Sequence, residues 1–173
     1  KAALALIEKQ ISELEKSGSD DAQLRILLAQ AGMTKLQQLA DLAGAEQLFG
    51  KEIALAEKAH ERSGYVAMLA GVKREMGQPK AALELLLREQ AALGKAAAAH
   101  NSDILIADLL RETGDNKRAE KVLDGYRAAC TKANVGCRVD AMSAVNLYAG
   151  IGNVAKAEQT LTAWLETSER ELM

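Results

Sequence analysis

Apolar positions recur along this chain with the period of an amphipathic helix, and the helices so marked recur in turn. Ala119, Val122, Leu123 and Tyr126 stand at i, i+3, i+4 and i+7, and Ala157, Leu161, Trp164 and Leu165 nearly repeat the pattern. A second set precedes them: Leu69, Ala70 and Val72 correspond to Ile106, Ala107 and Leu109, then to Ala144, Val145 and Leu147. Between each first helix and its second lies a glycine. Aligned on "REMGQPKAALELL", "RETGDNKRAEKVL" and "AGIGNVAKAEQTL", the glycines are Gly77, Gly114 and Gly152, spaced by thirty-seven and thirty-eight residues. Five residues on come Ala82, Ala119 and Ala157, and four beyond those Leu86, Leu123 and Leu161.

This pattern predicts helical hairpins. Glycine just past a helix end accepts a left-handed backbone without a Cβ clash. Gln78-Pro79 and Asp115-Asn116 then supply helix-start signals. Ala70 and Ala107 are expected to face Ala82 and Ala119, letting the backbones approach, while Leu86, Leu123 and Leu161 bury against the next unit.

One corner invites a different reading. Gly150-Ile151-Gly152-Asn153-Val154-Ala155 fits the G-x-G-x-x-A spacing of a dinucleotide-binding turn. That fingerprint requires a preceding strand and an acidic residue about 20 positions on, whereas Asn146, Leu147 and Tyr148 continue a helix. The equivalent slots in the other copies hold Glu75 and Glu112 in place of Gly150. The stretch reads as a corner, and no cofactor is expected.

The first third is less regular. "KAALALIEKQISELEKSGSD" predicts a helix ending near Ser17-Gly18, and "DAQLRILLAQAG" a second, stopped by Gly32. "KLQQLADLAGAEQLFG" and "KEIALAEKAHERSG" predict a third and fourth, with Gly50 as the break between them. Residues 1–64 are therefore expected to form irregular helical hairpins, and residues 65–173 three regular ones, in one continuous domain of about ten helices.

Composition supports an all-α reading. Hydrophobic residues make up 49% of the 173, mostly Ala and Leu, with one Pro and 3% aromatics. Strong helix formers dominate and the β-branched and aromatic residues of strands are scarce. With 22 basic and 24 acidic residues interspersed, the formal net charge is −2. A nucleic-acid partner would call for a basic face and stacking aromatics, and neither is present. No apolar run approaches the roughly 20 residues of a membrane span. The chain starts at Lys1 in helix-forming sequence, and it is read as a fragment of a longer protein.

At the aligned positions the chain resembles the tetratricopeptide repeat (TPR) family. That family has a small residue in helix A, glycine before the turn, alanine early in helix B and an apolar residue four later. Ala70/Gly77/Ala82/Leu86, Ala107/Gly114/Ala119/Leu123 and Val145/Gly152/Ala157/Leu161 match it, and Tyr148 matches its helix-A aromatic. The departures are specific. Val66, Asp103 and Ala141 replace the early tryptophan, and Glu89, Tyr126 and Trp164 replace the late helix-B alanine. The closing proline is absent, and the period exceeds the family's usual value of about thirty-four. The chain is similar to the longer-period arrays of bacterial regulators and secretion factors. The resemblance implies a right-handed α-solenoid of stacked antiparallel hairpins, whose inner face is lined by the first helix of each unit.

What the resemblance implies about function is a groove for a peptide or helix of a protein partner, without catalysis. The register projects Arg74, Asp108, Arg111 and Asn146 onto the inner face, with Arg74 and Arg111 able to pair acidic side chains or else simply solvated. The carboxylate clamp of chaperone-binding relatives is not matched: its slots hold Gly64, Ala67, Gly71, Asn101, Ile104 and Asp108. An alternative is a sensory domain that holds a small ligand and controls an attached output domain. A third is self-association through the apolar surface of a terminal repeat.

No catalytic constellation can be assembled from the sequence. Glu8-Lys9, Glu13-Lys16 and Glu57-Lys58 are solvated pairs, and His60 and His100 lie far apart without the spacing of a zinc site. Cys130 and Cys137 flank "TKANVG" at two helix ends that a short loop brings together. They are a candidate disulfide in an oxidising compartment such as the periplasm, and unpaired thiols in a reducing cytoplasm.

Overall fold

The computed structural model describes residues 2–18, 21–56, 59–94, 102–133 and 141–171. Among them are nine helices and no strand: α1 (Ala2–Ser17), α2 (Asp21–Leu39), α3 (Leu42–Leu55), α4 (Ala59–Glu75), α5 (Pro79–Leu93), α6 (Asp103–Glu112), α7 (Asn116–Ala133), α8 (Ala141–Gly150) and α9 (Val154–Glu171). The chain divides into two compact units, residues 1–94 and 95–173. In the first, α2 pairs with α3 and α4 with α5; in the second, α6 pairs with α7 and α8 with α9.

The three glycine corners share one geometry. Gly77, Gly114 and Gly152 have φ of +76°, +88° and +86°, the left-handed region where any Cβ is strained. Each glycine N–H donates three residues back, and the next N–H donates five back: Gln78 to Lys73 O (2.9 Å), Asp115 to Leu110 O (2.8 Å), Asn153 to Tyr148 O (2.8 Å). These bonds satisfy carbonyls that a helix end would otherwise leave open. The next helix starts at once, because the carbonyls of Gln78, Asp115 and Asn153 accept from the N–H groups of Ala82, Ala119 and Ala157.

A fourth corner follows the same register without glycine. Ala40 lies thirty-seven residues before Gly77 and has φ of +52°. Asp41 caps α3 by accepting from Gly44 N–H at 2.9 Å, and its carbonyl accepts from Ala45 N–H at 3.0 Å. Ala45 and Phe49 thus occupy the slots of Ala82 and Leu86. The first hairpin differs by one residue of slack, since Asp41 N–H reaches back to Lys35 O.

Two sequence expectations are corrected here. Gly32 does not stop α2, and Gly50 does not break α3; both lie inside continuous helices. Gly32 is buried, and a Cβ on it would meet Phe49 Cε1 at 2.8 Å. Its glycine serves the close approach of α2 to α3, and the turn is supplied by Ala40 instead. Gly50 has open space around its Cα.

The small residues act as anticipated from the register. Ala45, Ala70, Ala82, Ala107, Ala119 and Ala157 are all buried. In the second unit Leu123 and Tyr126 of α7 join Ala144, Leu147 and Tyr148 of α8 in one core. In the first, Leu4, Ile11, Leu24, Leu27, Leu28 and Ala31 join α1 to α2, while Ala45, Phe49, Leu69 and Val72 join α3 to α4.

Polar contacts recur with the same period. Arg25 Nε donates to Glu52 Oε1 at 3.0 Å, and Arg62 Nε to Glu89 Oε2 at 2.9 Å, a repeat of thirty-seven residues. Glu52 is fully buried and Glu89 nearly so. They fill the slot in which the family resemblance leads one to expect a small alanine, so each carboxylate needs an arginine from the first helix of its hairpin. Lys35 reaches back from α2 to Glu8 of α1 at 3.3 Å, and Lys73 reaches back from α4 to Glu46 of α3.

Candidate functional site

The second unit gathers three of the four residues projected onto the inner face. On α6, Arg111 donates through Nε (3.1 Å) and Nη2 (2.7 Å) to Asp108 Oδ1. An i, i+3 spacing puts both side chains on one face, and the exposed Arg111 is a paired cation, not a bare one. Its stem runs along Gly150 of α8, where a Cβ would lie 3.4 Å from Arg111 Cδ. Asn146 stands four residues before Gly150 on the same face of α8 and is exposed. Arg74 belongs to α4 in the first unit and is half-buried.

Sequence reasoning missed two contributors to this face. Gly150 was visible only as part of a false fingerprint, and its contact with Arg111 required knowing that α6 lies beside α8. Met142, four residues before Asn146, is 44% exposed; an apolar residue on a helix face carries no mark in the sequence to show that it is left uncovered.

Behind this face a polar network ties α9 to α7. Lys156 Nζ donates to Glu120 Oε1 (2.7 Å) and to Asp124 Oδ2 (2.6 Å). Tyr148 Oη donates to Asp124 Oδ1 at 2.9 Å, and Asn153 Nδ2 to Glu120 Oε1 at 2.8 Å. Burial pushes the Asp124 carboxyl up, but the hydrogen bonds from Lys156 and Tyr148 more than reverse this and leave it below its ordinary value. Burial, and then the bond to Asp124, pushes the Tyr148 phenol far above its ordinary value. The bonds to Asp124 and Glu120 hold the Lys156 ammonium up.

Among the described residues no group of three or more His, Cys, Asp and Glu is placed to hold a metal ion. None of the described helices is long and apolar enough to cross a membrane. A shallow hollow on α9, lined by Ala155, Glu158, Gln159, Thr162, Ala163 and Glu166, draws its whole lining from one helix and encloses nothing. Cys130 is part of α7, but its side chain, with Cys137, lies outside the described residues, as do the side chain of His60 and the whole of His100.

Comparison with solved structures places this architecture. Kinesin light chain-like repeats of Podosopora anserina, described as nearly identical TPR-like repeats, superpose with a TM-score of 0.74 at 16% identity, covering 98% of this chain and 87% of theirs. A variant of the same repeats gives 0.75 at 17%, covering 98% and 88%. The fold is that of tetratricopeptide-like repeats. MamA superposes as well, with a TM-score of 0.65 at 17% identity over 98% of this chain and 89% of its own. No family model matches the chain, and no curated protein sequence matches it. The TPR-like chain is thus an all-α helical-repeat scaffold by fold, with a sequence that has drifted far from these structures.

Proposed function

We propose that this TPR-like chain is a protein-interaction scaffold, without catalytic activity, that binds a peptide or helix of a partner and assembles a larger complex. Arg74, Asp108, Arg111 and Asn146 are the residues assigned to that contact. The reading is carried by the face of α6 and α8, where Arg111 and Asn146 stand exposed on the first helices of successive hairpins. Nothing in the packing of either hairpin requires these two side chains: the core beneath is made by Ala107, Ala144, Leu147 and Tyr148.

The test is capture from the native source with chemical cross-linking, comparing the wild-type chain with Arg74→Glu/Arg111→Glu. Capture of a defined protein that the double variant loses while keeping its helical circular dichroism supports the reading. Equal capture by both removes these residues from the contact, and a captured small ligand in place of a protein replaces scaffold with sensor.

A further inference from the structure

The pairing of Arg111 constrains what this face can hold. Asp108 occupies one edge of the guanidinium through Nε and Nη2, and because the group is planar its other edge points away from Asp108 and still donates. Gly150 keeps the path of the arginine stem clear, where the equivalent slots carry Glu75 and Glu112. On α8, Met142, Asn146 and Gly150 follow one another at intervals of four and so share a face. The patch therefore offers guanidinium donors, a carboxamide that both donates and accepts, and a thioether stem that adapts to an apolar side chain. Its one base and one acid neutralise each other.

We propose that this face takes an uncharged, extended peptide segment, with Asn146 on a main-chain amide, Arg111 on a main-chain carbonyl and Met142 against an apolar side chain. The inference rests on the scaffold reading above and narrows its partner. A partner carboxylate approaching Arg111 would also approach Asp108, and the repulsion offsets most of the attraction. A carbonyl dipole meets no such opposition. A helix would arrive with its mid-segment amides and carbonyls already bonded internally, leaving Asn146 nothing to pair.

A random peptide library displayed on phage, selected on the full chain and on its Asp108→Asn, Arg111→Ala and Asn146→Ala variants, tests this. Sequences selected on the wild type are expected to lack Asp and Glu. A synthetic copy should bind with an affinity that changes less than about twofold between about 0.05 and 0.5 M salt, and Asn146→Ala should weaken it about tenfold or more. Asp108→Asn unmasks Arg111, so selection on it should turn to acidic, salt-sensitive sequences. Acidic winners on the wild type would overturn the inference and leave the scaffold reading standing. Winners that bind Arg111→Ala and Asn146→Ala as well as the wild type would remove both.

Discussion

Gly32 of α2 lies against the ring of Phe49 of α3 so closely that a methyl group could not be added without moving the ring: the built Cβ sits 2.8 Å from Cε1. Phe49 is fully buried, so the ring has nowhere to go. Replacing Gly32 by Ala gains up to about 1 kcal/mol of helix propensity but overpacks the contact at a cost of about 1–3 kcal/mol. Urea denaturation of Gly32→Ala is expected to show a net loss, partly recovered by Phe49→Leu. Gly50→Ala, where the Cα has open space, should instead gain stability. If Gly32→Ala gained as much as Gly50→Ala, the contact would not be a constraint.

Ala40 holds the left-handed conformation that glycine holds in the other corners. The strain of such a residue is about 1–2 kcal/mol, offset in part by the larger entropy that glycine loses on folding. Ala40→Gly is therefore expected to stabilise the chain by about 0.5–1 kcal/mol, and Gly114→Ala to destabilise it by a similar amount. Thermal melts of the two variants check the sign, and a shift in the same direction for both would refute the equivalence of the corners.

The buried carboxylate of Glu89 depends on Arg62. Its Oε1 has no hydrogen-bond partner among the described residues, which leaves Arg62 Nε on Oε2 as the compensating contact. Removing the cation from a buried pair typically costs about 3–5 kcal/mol, whereas replacing both members with apolar residues is close to neutral. Arg62→Met should be severely destabilised and Arg62→Met/Glu89→Leu should recover most of the loss. Equal stability of the single and double variants would show that the pair is not coupled.

The network around Lys156 gives the fold a pH window with two edges. Asp124 has a lowered pKa in the folded chain, so its contribution is present above the unfolded value of about 4 and fades as pH falls through the folded one. Lys156 and Tyr148 have raised values; their contribution is complete below about 10 and is lost as pH rises further. Asp124 is partly exposed, and with solvent screening the network is worth about 1 kcal/mol. Asp124→Asn should lower the melting temperature at neutral pH by about 2–4 °C and flatten the acid limb. Ultraviolet titration should show a phenol that resists ionisation in the wild type and is missing from Tyr148→Phe. An acid limb unchanged in Asp124→Asn would assign the acid loss to other carboxylates.

The sequence by itself determined the helices, the three glycine corners and the buried alanines, because each is written in neighbouring residues: a cap, a left-handed glycine, an apolar face at helical spacing. Even the pairing of Asp108 with Arg111 is local. Only the tertiary structure decided that Gly32 runs through a helix, since its reason is Phe49, seventeen residues away. The same holds for the corner at Ala40, the carboxylates of Glu52 and Glu89 each matched by an arginine twenty-seven residues earlier, and the passage of Arg111 over Gly150. A glycine that turns a chain and one that admits a ring are the same letter. What separates them is the backbone torsion and the neighbour across the hairpin, and those exist only once the chain has folded.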